Sequence, residues 1–131
     1  MPTELQPFEQ LGGEAEVRAL AEAFYDAMDT HEPALAAQHE LEDGRVSRGN
    51  RDRFALFLIE WLGGPRSYSS VHGHPRLRMR HGGVVVDEGM RDAWLRAMQH
   101  ALDARAVRGE LRTFLDRRFA EVADFLRNRP G

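Results

Sequence analysis

The feature that most constrains this fold is a helical run of large apolar residues that ends abruptly. Five of them keep the i, i+3, i+4, i+7, i+8 spacing of one helix face: Phe54, Phe57, Leu58, Trp61 and Leu62. Gly63-Gly64-Pro65 follows at once and stops the helix, and Asn50 is its predicted N-cap. A helix with so strong an apolar face must be packed against others, which favours a helical fold.

Three more segments show the periodicity of amphipathic helices. The first runs from Glu14 to about Met28, before Asp29-Thr30. The second begins after the predicted N-cap Asp87, and the third ends at about Arg127. Their predicted inner faces are formed by Val17, Leu20, Ala21, Phe24 and Met28; by Met90, Trp94, Met98, Ala101 and Leu102; and by Leu111, Phe114, Leu115, Phe119, Val122, Phe125 and Leu126.

The remaining segments are short or irregular. We expect a lead-in at 1–13, a short helix from Pro33 to about Gln38, a polar loop at 40–49, an irregular loop at 66–74, a short basic helix at 75–81, a connector at 84–86 and a break at 106–109. The predicted fold class is therefore all-α, and we expect the 131 residues to form one domain, 1–131.

Composition excludes several classes of protein. The chain has no Cys, which excludes disulfides, thiolate nucleophiles and iron–sulfur clusters. Its net charge of −3 argues against a general nucleic-acid partner. No apolar run approaches the roughly 20 residues of a membrane span, and the first residues lack the pattern of a signal peptide. We therefore expect a cytoplasmic protein without nucleic-acid or membrane partners.

The basic stretch at residues 72–81 holds most of the candidate metal chemistry. Gly82-Gly83 predicts that its helix ends on His81, which shares a face with Leu77. An imidazole at a helix end can ligate haem iron, or it can be a surface histidine stabilised by the last carbonyls of the helix. With the two histidines before Pro75, a non-haem metal site also stays open.

Two aromatic residues, one histidine and one arginine are further candidates. Tyr25 and Trp94 each join a large apolar ring to one hydrogen-bond donor, so they could serve a bound ligand or the core alone. His39 is either a third donor or the exposed end of a short helix. Arg53 lies off the main apolar face and could pair with a haem carboxylate or be solvated.

Several motifs occur together, in one order along the chain. They are Gly12-Gly13, Phe24-Tyr25, Trp61-Leu-Gly-Gly-Pro65, Tyr68, Gly73-His-Pro-Arg-Leu-Arg-Met-Arg-His81 and Arg91-Asp-Ala-Trp94-Leu-Arg-Ala-Met98. In this order and spacing the chain resembles the group II truncated haemoglobins over almost its whole length. The resemblance implies a shortened globin, a two-over-two helical sandwich around haem b.

The resemblance also implies roles for individual residues. His81 matches the proximal ligand of the haem iron, and Tyr25 and Trp94 match distal hydrogen-bond donors to the bound ligand. The other implied neighbours are His39, Asn50 and Phe54 on the distal side, and Arg53, Tyr68, Arg78 and Leu77 beside the haem.

The chain departs from the family pattern at three places. Gly82-Gly83-Val84 stands where the family usually has Pro-Phe after the proximal histidine, so one aromatic contact with the haem should be lost. Glu40 replaces a common proline, and the loop at 39–50 is about four residues longer than usual. Ala97 replaces a common cysteine.

The function implied by the resemblance is binding of dioxygen and other diatomic ligands at ferrous haem iron. Several donors should slow ligand release, which suits sensing, storage or redox chemistry better than oxygen transport. Oxidation of nitric oxide or peroxidase-like activity stays open, and the former needs a reductase as partner. The alternative function is that of a haem-free helical interaction module on a globin frame. For the assembly, a homodimer stays open.

Overall fold

The computed structural model describes residues 5–73 and 87–126. In chain order the described elements are α1 (Pro7–Leu11), α2 (Glu14–His31), α3 (Pro33–Ala36), β1 (Leu41–Glu42), β2 (Arg45–Val46), α4 (Arg48–Trp61), α5 (Ser67–His72), α6 (Glu88–Ala104) and α7 (Gly109–Leu126). The predicted helical fold is confirmed. Two helices were not predicted, since α1 lies within the lead-in at 1–13 and α5 replaces the irregular loop at 66–74.

Two pairs of helices form the core. α2 packs against both α4 and α6, and α6 packs against α7. The largest fully buried side chains come from all four helices: Val17, Leu20, Phe24, Met28, Leu58, Ile59, Met98, Leu102 and Leu115. Burial stabilises each of the larger apolar side chains by about 1.5–3 kcal/mol relative to exposure. Among the described helices, none is long and apolar enough to cross a membrane.

Helix α2 is longer than the sequence predicts, because Asp29 does not end it. The helix continues to His31 instead of stopping near Met28. The Asp29 carboxylate accepts the backbone N–H of Val46 at 3.1 Å and the guanidinium of Arg51 at 2.7 Å. With these distant partners it does not compete for the helix's own backbone groups. The next helix, α3, begins at Pro33 as predicted and ends at Ala36, about two residues earlier than predicted.

The predicted polar loop at 40–49 contains a small β-hairpin. Its strands pair antiparallel, with Leu41 opposite Val46. Asp43-Gly44 forms the turn, with positive φ angles of 54° and 78°, as a type I′ turn requires. Strands of two residues carry no alternating apolar pattern, so periodicity could not predict them.

The N-cap of α4 is Ser47 rather than Asn50, which corrects the sequence prediction. The Ser47 hydroxyl oxygen accepts the backbone N–H of Asn50 at 3.2 Å and the side-chain amide of Asn50 at 3.1 Å. Asn50 therefore lies inside the first turn of the helix. Asp87 caps α6 as predicted, since its carboxylate accepts the N–H of Met90 at 2.8 Å.

The stop after α4 allows a close approach of α1. A Cβ atom at Gly64 would lie 2.8 Å from the carbonyl oxygen of Ile59 and 2.7 Å from a ring carbon of Phe8. The backbone N–H of Phe8 donates to the carbonyl of Leu62 at 2.9 Å. Only a residue without a side chain fits between the two helices here.

Helix α7 buries a narrower face than the sequence predicts. Leu115, Phe119 and Ala123 are buried against the other helices, as their spacing requires. Phe114 and Phe125, which we expected on the same inner face, are 37% and 52% exposed. The prediction was wrong for these two rings, because seven apolar residues span more of the helix surface than its neighbours cover.

Candidate functional site

Four aromatic residues from α2, α4 and α6 meet in the core. They form the aromatic cluster, defined as Phe24, Tyr25, Phe54 and Trp94. The ring centroid of Phe24 lies 4.9 Å from that of Tyr25, 5.0 Å from that of Phe54 and 5.2 Å from that of Trp94. Such ring pairs add about 0.5–1.5 kcal/mol each to the effect of burial. Phe24 therefore holds the other three rings in a fixed arrangement.

Tyr25 and Trp94 each bring a polar donor into this apolar setting. Tyr25 is buried, and burial raises the pKa of its hydroxyl, against a smaller lowering by the charges of Arg51 and Arg53. The hydroxyl is therefore protonated at neutral pH and can donate. The indole N–H of Trp94 is a donor at any pH.

Neither donor has a hydrogen-bond partner among the residues that the structure describes. In the same part of the chain, no fully buried side-chain polar atom is left without a partner. The hydroxyl of Tyr25 and the indole N–H of Trp94 are therefore two donors that no described residue occupies. Phe54 is a neighbour of both, with ring centroids at 5.6 Å and 6.4 Å. This arrangement suits a small ligand that brings an acceptor atom.

His39 lies beside the aromatic cluster, but its donor is already used. Its ring meets that of Tyr25 edge to face at 5.7 Å. The Nδ1 atom of His39 lies 3.0 Å from the carbonyl oxygen of Leu35, which can only accept. Nδ1 therefore carries the proton in the neutral ring, and Nε2 is an acceptor. Only the imidazolium form of His39 could be the predicted third donor.

The other predicted site residues lie in different surroundings. The Asn50 side chain bonds to the cap of its own helix. Arg53 is exposed and makes no ion pair with the described residues, which leaves its guanidinium available to an anion. Tyr68 is buried and packs edge to face on Phe57 at 6.2 Å. Leu77, Arg78 and His81 lie outside the described residues.

Helix α4 presents a row of three rings that its neighbours cover only in part. Phe54, Phe57 and Trp61 are stacked, with successive centroids 6.2 Å and 6.4 Å apart. Trp61 also stacks on Phe119 at 5.1 Å, which joins α4 to α7. All three rings of the row are half-buried. Such a row offers a flat apolar ligand one wall of a binding site.

Arg51 is the one charged residue that is buried in the described part of the chain, and its role was not predicted from the sequence. Its guanidinium donates to Glu22 at 3.1 Å, to Asp26 at 2.7 Å and to Asp29 at 2.7 Å. Its Nε–H also donates to the carbonyl of Val46 at 2.9 Å. We call Arg51 and these three carboxylates the charged cluster. No local pattern could reveal it, because the carboxylates lie more than 20 positions earlier in the chain.

Comparisons with known proteins identify the class to which this fold belongs. A family model described as bacterial-like globin matches residues 6–128. The group 2 truncated haemoglobin YjbI of Bacillus subtilis is 35% identical over 109 residues, which cover 83% of this chain and 78% of that protein.

Two crystal structures agree with this result. The group II truncated haemoglobin from Bacillus anthracis superposes with a TM-score of 0.88 at 32% identity, covering 99% of this chain and 96% of that one. The truncated oxygen-avid haemoglobin from Bacillus subtilis superposes with a TM-score of 0.83 at 32% identity, covering 95% and 100%.

The two-over-two packing of α2, α4, α6 and α7 around the aromatic cluster is thus that of a globin. The chain belongs to the bacterial-like globin family, as a truncated haemoglobin of group II. The predicted family and its two-over-two fold are confirmed. This family implies haem as the cofactor and binding of ligands at its iron. The described residues fit that group, because they offer a row of rings, an unpaired arginine and two free donors.

Proposed function

We propose that the protein binds dioxygen and other diatomic ligands at the iron of haem b. In this proposal His81 is the proximal ligand, and Tyr25 and Trp94 are the distal donors. The observation that carries it is the pair of donors in one aromatic cluster, without a partner among the described residues. The similar haemoglobin from Bacillus subtilis is described as oxygen-avid, which supports dioxygen as the ligand.

The distal residues act by hydrogen bonding and by exclusion of water. The haem supplies the iron to which the ligand binds. A ligand with partial negative charge accepts hydrogen bonds from Tyr25 and Trp94, and in an apolar setting such bonds are stronger than in water. Phe54 lies beside both donors and limits the room for water. His39 adds a third donor only as imidazolium, and Asn50 mainly supports the first turn of α4.

The residues beside the haem act by packing and by charge. Arg53 would pair with a haem carboxylate, because a guanidinium matches a carboxylate in shape and charge, and Arg78 is a weaker candidate for the same role. Tyr68 is likewise a weaker candidate on that side, and Leu77 would provide an apolar contact to the haem near His81. Of these, Arg53 and Tyr68 are the two whose surroundings the structure describes.

The first experiment is an absorption spectrum of the purified protein in the ferric, reduced and carbon monoxide forms. A Soret band that shifts on reduction and again with carbon monoxide supports a histidine-ligated haem with a free binding position. His81→Ala should then lose tight haem binding unless imidazole is added. A colourless protein that does not take up added haemin would support the alternative, a haem-free helical interaction module.

The distal assignment is tested by dioxygen release after rapid mixing. We expect Tyr25→Phe and Trp94→Phe each to speed release by roughly 10-fold, as the loss of one hydrogen bond to a partly charged ligand predicts. Phe114→Leu is the matched control, because this ring is exposed on α7 and lies outside the aromatic cluster. Unchanged release in both distal variants would reject the assignment.

The reaction in the cell and the assembly are part of the same proposal. Slow release favours redox chemistry, such as oxidation of nitric oxide or reaction with peroxide, and the former needs a separate reductase. We propose that residues 1–131 act as one globin domain in the cytoplasm. The exposed rings of Phe114 and Phe125 on α7 favour a homodimer there. Turnover of nitric oxide or peroxide, compared with that of free haem, tests the reaction. Sedimentation at several protein concentrations tests the homodimer.

A further inference from the structure

We propose that Arg51 is a positioning residue for Tyr25: its buried guanidinium holds the tyrosine ring in place and makes the hydroxyl a stronger donor to the bound ligand. Carboxylates of α2 and the backbone of β2 fix this guanidinium in turn. The inference rests on the proposed function, in which Tyr25 donates to the ligand. It adds a residue that does not touch the ligand and acts through one that does.

The first support is the contact between the two side chains. The Cζ atom of Arg51 lies 5.8 Å from the ring centroid of Tyr25, within the range of a cation–π interaction. The other neighbours of the ring are Phe24, Phe54 and His39, at 4.9, 5.6 and 5.7 Å. These are apolar or, for His39, neutral when Nδ1 alone carries the proton. Among these four contacts of the ring, Arg51 is therefore the one with a permanent charge, and the charge of Arg53 also acts on the hydroxyl.

The second support is that Arg51 itself cannot move freely. Its side chain is 6% exposed and donates to three carboxylates and one carbonyl. Asp29 ties the guanidinium to β2, since its second oxygen accepts the N–H of Val46. A planar guanidinium can make these bonds at once, and the ammonium of a lysine cannot. The position of the cation beside Tyr25 is thus set by α2, α4 and the hairpin together.

The third support is electrostatic. The charges that lower the pKa of the Tyr25 hydroxyl belong to Arg51, first, and Arg53. A cation that favours loss of the proton also polarises the O–H bond, which strengthens the hydrogen bond that it donates. Burial keeps the proton on the hydroxyl, so the group remains a donor.

The test compares dioxygen release and the C–O stretching frequency of the carbon monoxide form in the haem-loaded protein. We expect Arg51→Met to speed release by roughly 3- to 10-fold, as the loss of a buried cation–π contact predicts. The stretching frequency should rise, because a weaker donor draws less electron density onto the ligand. Arg51→Lys should restore neither value. Arg45→Met is the control: it removes an exposed arginine from the same carboxylates and should change neither.

A double variant separates positioning from general damage. If Arg51 acts through Tyr25, the variant with both Tyr25→Phe and Arg51→Met releases dioxygen no faster than Tyr25→Phe alone. Effects that multiply, or an Arg51→Met variant with parental release, would overturn the inference and leave the proposed function standing. An unchanged Tyr25→Phe variant would instead overturn the proposed function.

A milder change covers the case in which Arg51→Met does not fold. Asp29→Asn keeps the size of the side chain and removes the charge that holds the guanidinium. We expect it to change both readouts in the same direction, with release about twofold faster. Parental values in this variant would also overturn the inference.

Discussion

The aromatic cluster and the charged cluster share helices α2 and α4 but treat their polar groups in opposite ways. In the charged cluster Arg51 is bonded to three carboxylates and a carbonyl. In the aromatic cluster Tyr25 and Trp94 have donors that no described residue accepts. Groups that satisfy one another maintain a geometry, and groups left free can recognise a ligand. The charged cluster is therefore suited to supporting the site, and the aromatic cluster is suited to binding the ligand.

The largest effect on stability should come from the centre of the aromatic cluster. Phe24→Ala removes a ring that is 1% exposed and contacts three other rings. We expect the free energy of unfolding to fall by about 3–5 kcal/mol in urea titrations. Phe114→Ala, on the exposed side of α7, should lower it by about 1 kcal/mol or less. Equal losses in the two variants would show that the cluster does not organise the core.

The charged cluster should give the next largest effect. Asp29→Ala takes one partner from Arg51 and leaves the N–H of Val46 without its acceptor. We expect a loss of about 2–3 kcal/mol in the free energy of unfolding. Asp26→Ala is the comparison, because that carboxylate is 52% exposed and its pairing is screened by water; its loss should stay below about 1 kcal/mol. The reverse order would contradict the supporting role of Asp29.

Tyr25→Phe should separate stability from ligand binding. The tyrosine hydroxyl has no partner among the described residues, so its removal breaks no bond within that part of the fold. We expect the free energy of unfolding of the haem-free protein to stay within about 0.5 kcal/mol of the parent. The same variant should release dioxygen faster. A large loss of stability with unchanged release would place Tyr25 among the supporting residues.

A small effect on stability, with none expected on ligand release, should come from an ion pair outside both clusters. Arg96 donates twice to Glu32, at 2.9 and 2.8 Å, and this lowers the pKa of the Glu32 carboxyl. A lowered pKa stabilises the fold above the ordinary carboxyl value, and the contribution is lost as the pH falls through the lowered one. Because Arg96 is 57% exposed, Arg96→Gln should cost less than about 1 kcal/mol at pH 7.

The pH dependence of that variant gives the check. Unfolding curves of Arg96→Gln and of the parent should differ at pH 7 and should converge in acid, once Glu32 is protonated in both. A difference that persists unchanged in acid would show that Arg96 stabilises the fold by packing and not by its charge.

Signals carried by neighbouring residues predicted much of the fold. The N-cap at Asp87 could be predicted from that residue and the helical pattern after it. The end of α4 could be predicted from three consecutive residues, Gly63-Gly64-Pro65. The predicted cap of α4, Asn50, was wrong: the helix begins three residues earlier, at Ser47, whose residue type is also favoured at N-caps. The hairpin around Asp43-Gly44 was not predicted, because its strands of two residues carry no periodic pattern.

The site could be predicted by residue type but not by arrangement. Tyr25 and Trp94 stood out because each joins an apolar ring to a donor, and the family motifs placed both. That Phe24 joins them is a matter of tertiary packing. The role of Arg51 could not be predicted, because an arginine in a polar stretch of sequence is expected to be solvated. Only the packing of α2 against α4 places the three carboxylates beside it. His81, Leu77 and Arg78 stay predictions.

The hairpin between α3 and α4 has a consequence for protein engineering. Its turn is exposed at Asp43-Gly44, and a Cβ atom at Gly44 would have no neighbour within 4 Å. Exposed loop tips tolerate inserted segments better than the elements beside them. The pairing of Leu41 with Val46 closes the base of the turn. A fluorescent or affinity tag grafted there would be displayed to solvent while the helices keep their own register.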